Sequence, residues 1–141
     1  MREVLFVCTG NTCRSVIAEY LARHRLDPAV VRCESAGLRL VPSENAHNAI
    51  DTLRRNFSID ASAHVPRALE GLDLSHFDLI VAIDDPEGNQ VFRALKERGV
   101  SGETLVKWKV TDPWDGSDAS QYDRCALETV KNLQGLKKVI E

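Results

Sequence analysis

Cys8 and Arg14 stand near the start of the chain with five residues between them, in Val7-Cys8-Thr9-Gly10-Asn11-Thr12-Cys13-Arg14-Ser15. A cysteine attacks as its thiolate, and an arginine offers a planar fork of donors that grips two phosphate oxygens at once, which a lysine cannot do. The intervening stretch contains Gly10 and Asn11, two residues that tolerate the positive φ of a tight loop. A loop so folded points successive backbone N–H groups into one concavity. The chemistry predicted for this spacing is a phosphate cradled by loop amides and Arg14, facing a Cys8 sulfur that the same positive field keeps as thiolate.

Such a loop needs a strand before it and a helix after it. Val4-Leu5-Phe6-Val7 is a continuous apolar run and reads as a short strand buried on both faces, as in a parallel sheet. Beyond Arg14, Ile17, Leu21 and Leu26, with Ala18 and Ala22 among them, suit an amphipathic helix beginning near Ser15. Its unpaired first-turn N–H groups add to the anion site.

The rest of the chain repeats this alternation. Val30 to Ser35 reads as a second strand ended by Ala36-Gly37, and Ser43 is placed to cap a helix carrying Ala46, Ile50, Leu53 and Phe57 on one face. Residues 58 to 76 read as connection, with a packed turn around Leu69, Leu72 and Leu74. Phe77 to Ile83 is the third strand; Asp85 as cap and Pro86 as first residue predict a helix stopped by Gly99. Leu105 to Val110 alternates like a more exposed strand, and Tyr122, Ala126, Thr129, Leu133, Leu136 and Ile140 mark a long terminal helix. The expectation is one α/β domain over residues 1–141, with right-handed crossovers and the site beyond the strand C-termini.

Composition narrows the function classes. With 141 residues, a net charge of −3 and 43% hydrophobic residues, the chain is long enough for a sizeable core and lacks the basic footprint of a nucleic-acid binder. No apolar run approaches the ~20 residues of a membrane span, and the run after Glu3 is too short for a signal peptide. A cytosolic protein with free thiols is expected, without membrane or nucleic-acid partners. No cysteine and histidine cluster completes a metal site, so none is expected.

The segment from Val7 to Ser15 resembles the signature of the low-molecular-weight protein-tyrosine-phosphatase family, which includes protein-arginine phosphatases and thioredoxin-coupled arsenate reductases. The resemblance covers nearly the whole chain. It implies a four-stranded parallel sheet of flavodoxin-like winding, first strand central, flanked by helices on both faces. It also implies a cofactor-independent phosphatase of phosphorylated proteins or peptides, releasing inorganic phosphate, and a monomer or weak homo-oligomer is expected. Cys8, Arg14 and Asp112 carry over as the catalytic set, Asp112-Pro113 resembling the family's general-acid loop. Thr9, Gly10, Asn11, Thr12, Cys13, Ser15 and Trp114 carry over to phosphate and substrate binding. Asn11 looks like the loop-shaping asparagine, Ser15 like the hydroxyl that supports the thiolate, and Ser35 and His64 like the residues that brace Asn11. Cys13 matches a cysteine that pairs reversibly with the nucleophile, or is a small buried residue. Asp84 also matches a family position, although Asp84 or Asp85 has a simpler role as a helix cap.

Three departures bear on the substrate. Thr12 stands where tyrosine-specific members have a larger aliphatic residue, as in the arginine phosphatases; Trp114-Asp115 replaces a pair of aromatics; Val16 replaces a proline. Arsenate reduction needs further redox cysteines. Residues 83–89 have none, and Cys33 in a strand and Cys125 in the terminal helix are expected to be badly placed for a relay.

Overall fold

A computed structural model describes residues 1–41, 45–113 and 118–140. Among them, four strands alternate with four α-helices: β1 (Arg2–Cys8), α1 (Arg14–Arg25), β2 (Val31–Gly37), α2 (His47–Phe57), β3 (Leu79–Asp84), α3 (Gln90–Glu97), β4 (Leu105–Lys109) and α4 (Ala119–Ile140). The strands are all parallel in the order β2-β1-β3-β4. β1 is thus interior, as expected, and the chain winds first to one side of it and then to the other.

The period-2 geometry of β1 splits its side chains between two cores. Val4, Phe6 and Cys8 face the layer built from α1, α2 and α4, whereas Leu5 and Val7 face α3 and the packed connection containing Leu69. All four residues from Val4 to Val7 are fully buried, each contributing about 1.5–3 kcal/mol through the apolar surface it removes from water. Cys8 therefore ends β1 already turned toward α1 and α4.

Several boundaries differ from the sequence expectation, for local reasons. β2 continues through Ala36 and Gly37, because Cys8 pairs with Gly37 and the Leu38 N–H donates to the Cys8 carbonyl at 3.0 Å. A Cβ at Gly37 would lie 2.7 Å from the Asn11 nitrogen and from the Gly10 carbonyl carbon, so only glycine lets β2 lie against the loop. α2 starts at His47, and Ser43 lies outside the described residues. α3 starts at Gln90 and is not capped by Asp85: the Asp84 carboxylate, at the end of β3, accepts from the N–H groups of Val91 (2.7 Å) and Phe92 (3.1 Å). Within the connection, Leu74–His76 forms a short 3-10 turn. No helix among the described residues is long and apolar enough to cross a membrane.

Candidate active site

The turn from β1 into α1 needs a left-handed residue, and Asn11 supplies it with φ 57°. Its side chain is fully buried and spends every polar atom on holding the loop. The amide nitrogen donates to Ser15 Oγ (2.8 Å) and Ser35 Oγ (2.9 Å), and the amide oxygen accepts from the Arg67 N–H (3.0 Å). The Asn11 carbonyl accepts from His64 Nε2 (3.1 Å), which fixes that ring nitrogen as the protonated one. Ser35 in turn donates to the buried carboxylate of Glu19, which also pairs with Arg23. Ser15 Oγ, which accepts from Asn11, also shares a hydrogen bond with Cys8 Sγ, 2.9 Å away, in which the hydroxyl is the donor whenever the sulfur is a thiolate.

Above this web a cavity of about 560 Å³ opens between the ends of β1, β3 and β4 and α4. Cys8, Thr9, Gly10, Thr12, Cys13 and Arg14 form its floor, and Arg39, Asn45, Asn48, Asp85, Gln90, Asp112 and Tyr122 rise around it. α1 presents its N-terminus here without an acidic residue in its first turn and without a side-chain cap from Cys13, which leaves that dipole end to an anion.

Arg14 is the charged centre of the cavity. Its guanidinium donates to Asp85 Oδ1 (3.1 Å) and to the Val110 carbonyl (3.3 Å), and stands 3.6 Å from Asp112 Oδ2. Burial works against the charge, but the Cys8 sulfur and the Asp112 and Asp85 carboxylates outweigh it and hold Arg14 above the ordinary arginine value. The side chains of Asp112 and Asp85 are 32% and 59% exposed, so both carboxylates face solvent while Arg14 does not. Asp112 hangs from the end of β4, and its neighbour Thr111 donates through N–H (3.0 Å) and Oγ1 (3.1 Å) to Glu128 of α4.

Of the residues expected from the sequence, Cys8, Thr9, Gly10, Thr12, Cys13, Arg14 and Asp112 line one cavity. The side chains of Asn11 and Ser15, expected among the phosphate contacts, lie beneath the loop, with Ser35 and His64 below them. Trp114 and Asp115 lie outside the described residues. Asp84 serves α3, and its neighbour Asp85 reaches Arg14. Glu19, Arg67, Asp85 and Glu128 are the functional neighbours that the sequence reading missed. Only Glu19 left a signal: it follows Ser15 by one helical turn on the buried face.

Cys13 is partly buried, and the neighbouring Cys125, burial, Cys8 and Asp112 together push its thiol well above the usual cysteine range.

Chemically, the cavity sets a sulfur, a guanidinium and a half-exposed carboxylate around one space. That set can hold an oxyanion, attack it and deliver a proton.

The sequence model of a family described as low molecular weight phosphotyrosine protein phosphatase matches residues 3–141. The low molecular weight protein-tyrosine-phosphatase Etp of Escherichia coli K12 is 31% identical over 141 residues, covering 93% of this chain and 94% of that protein. The glutaredoxin arsenate reductase of Synechocystis is 26% identical over 138 residues, covering 98% and 92%. The crystal structure of the low molecular weight protein tyrosine phosphatase from T. tengcongensis superposes with a TM-score of 0.82 at 27% identity, covering 98% and 99%.

Proposed function

From the premise that the chain belongs to the low molecular weight phosphotyrosine protein phosphatase family, and is a cysteine-dependent phosphatase, we propose that it hydrolyses phosphorylated protein side chains through a phosphate carried on Cys8, with phosphotyrosine as the main substrate. The observation that carries this reading is the convergence of Cys8 Sγ, the Arg14 guanidinium and the Asp112 carboxylate on one cavity above a fully partnered loop.

In the proposed reaction the substrate phosphate displaces Asp85 or Asp112 from Arg14 and settles on the loop amides. The Cys8 thiolate attacks phosphorus in line with the leaving oxygen, which takes its proton from Asp112. Charge gathering on the equatorial oxygens falls to Arg14 and the loop N–H groups, which are in position before the reaction begins. Asp112, now a carboxylate, activates the water that releases inorganic phosphate and restores Cys8. Ser15 supports the thiolate as attacking and as leaving group. The reaction is proposed to run in the cytosol and needs no cofactor.

Phosphoarginine is a second reading with its own observations. Thr12 stands in the cavity floor, and the wall carries the Asp85 carboxylate with the amides of Asn45, Asn48 and Gln90; Tyr122 is the one aromatic among the described lining residues. A guanidinium leaving group suits carboxylates and amides better than a phenyl ring does. Arsenate reduction, the activity in the name of the Synechocystis relative, is the least favoured of the three.

The test is a steady-state comparison of a phosphotyrosine peptide and a phosphoarginine peptide, with Cys8→Ser as control. Turnover favouring the phosphotyrosine peptide and abolished by Cys8→Ser is expected. A large preference for phosphoarginine moves the assignment to the second reading, and turnover that survives Cys8→Ser removes Cys8 as nucleophile.

A further inference from the structure

Arg14, Arg39, Asp85 and Asp112 are the charged side chains among the described residues that line the cavity, and the sheet order separates them by sign. Because the four strands are parallel, the segments that follow them leave the sheet at one edge. Arg39 follows β2, on one side of the phosphate loop. Asp85 follows β3 and Asp112 follows β4, on the other side. Arg14, at the loop itself, lies between these groups and is held by both carboxylates. Among the described residues, no carboxylate pairs with Arg39.

A solvated guanidinium is the ordinary fate of an exposed arginine. Arg39 is exposed, but two observations set it apart. It lines the same cavity as Cys8 and Arg14, and its backbone is tied to the phosphate loop. The Leu38 N–H donates to the Cys8 carbonyl (3.0 Å) and the Arg39 N–H to the Thr9 carbonyl (3.1 Å). Once a phosphate occupies Arg14, Arg39 is the remaining cation among the described lining residues. Its planar fork of donors matches a carboxylate with two parallel hydrogen bonds. An extended chain advances at most ~3.6 Å per residue, so a substrate group that reaches this wall stands within a residue or two of the phosphorylated one.

We propose that Arg39 is a specificity-determining residue: it binds a carboxylate adjacent to the phosphorylated side chain, and acidic phosphopeptides are therefore the preferred substrate class. The inference rests on the proposed function, with the substrate phosphate seated between Cys8 and Arg14. It also gives the bound peptide a direction. A carboxylate flanking the phosphorylated residue on the β2 side meets Arg39, whereas one on the opposite flank meets Asp85 and Asp112, which repel it. The overall field works the other way, since a net charge of −3 disfavours the approach of an acidic peptide. A preference for acidic flanks is thus a local property of this wall.

The test compares phosphotyrosine peptides that carry Glu before the phosphotyrosine, Glu after it, or Ala at both places. For the full-length protein, kcat/KM should be about 3- to 5-fold higher for one Glu peptide than for the Ala peptide, the upper range for an exposed ion pair, and no higher for the other. The gain should shrink as salt rises from about 0.05 to 0.5 M. Arg39→Gln should erase the gain, and Arg39→Lys should keep part of it. In Arg39→Glu, a peptide with Lys at the favoured place should overtake the Glu peptide, a reversal that a merely structural role does not produce. The same peptides are titrated into the Cys8→Ser protein by fluorescence anisotropy, a readout that needs no turnover. Equal values for all three peptides, equal gains on both flanks, or a gain that survives Arg39→Gln overturns the proposal. A flank preference in binding without any turnover rejects the proposed hydrolysis and leaves the role of Arg39 standing. Turnover without the preference rejects the role of Arg39 alone, and absence of both binding and turnover rejects the two together.

Discussion

The two sides of the cavity are built on opposite principles. On the Cys8 side, Asn11, Ser15, Ser35 and Glu19 are buried and joined by hydrogen bonds drawn from the loop, α1 and β2, with Arg67 and His64 closing the web from the connection. On the Asp112 side, two partly exposed carboxylates lean on Arg14 from loops, and Glu128 anchors Thr111 at the base of the loop that carries Asp112. The contrast fits two different demands. In the proposed reaction the nucleophile and its oxyanion donors gain from being fixed before substrate arrives, whereas the proposed acid has to admit a protein side chain and follow its leaving atom. A buried polar web contributes when every member is satisfied and is costly when one is removed. Exposed ion pairs are worth little to stability.

The comparison predicts that substitutions on the acid side cost rate and those on the nucleophile side cost rate and fold together. Asp112→Asn should lower kcat by about 10²- to 10⁴-fold, the usual worth of a general acid, with thermal unfolding unchanged. A matching fall in melting temperature would show that Asp112 holds the structure. Asn11→Ala removes three side-chain hydrogen bonds and places alanine at φ 57°. It should cost about 2–4 kcal/mol in urea unfolding and lower kcat about 10- to 100-fold, and full stability in this variant would break the distinction. Glu128→Gln keeps one acceptor for Thr111 and should lower kcat only about 2- to 5-fold, with KM held. A large change in KM instead would give Glu128 a part in binding.

The smallest effect concerns pH and lies away from the cavity. Burial pushes the Cys33 thiol up to about 12, whereas an unfolded cysteine titrates near 8.5. Its contribution to stability is therefore whole below about pH 8.5 and is lost as the pH rises toward 12, by at most about 1.4 kcal/mol per pH unit. The stability gap between wild type and Cys33→Ala should narrow between pH 8 and 10.5 in parallel urea titrations. A constant gap would mean that Cys33 keeps the same protonation in both states.

What the sequence discloses follows the same division. The loop was legible because its chemistry is local: Cys8, Asn11, Arg14 and Ser15 lie within one turn of chain, bracketed by a strand run and a helix period. The place of Asp112 at the cavity was legible through its proline and its position after a strand. Glu128, Arg67 and Asp85 were not, because their roles depend on which residues the sheet order brings together; nothing in the sequence near Arg67 says that its N–H meets Asn11 fifty-six residues away. The start of α3 was misread for a related reason, since Asp84 caps it across a gap that an adjacent-residue rule does not span.

The central claim is that Cys8 carries the phosphate. The most direct test is rapid acid quenching of the Asp112→Asn variant with a phosphotyrosine peptide, followed by mass spectrometry of the peptide spanning residues 3–14. The account predicts a phosphate on Cys8 that accumulates within the first turnover and is absent from Cys8→Ser. Release of phosphate with no covalent intermediate, or phosphate found on any other residue, would contradict it.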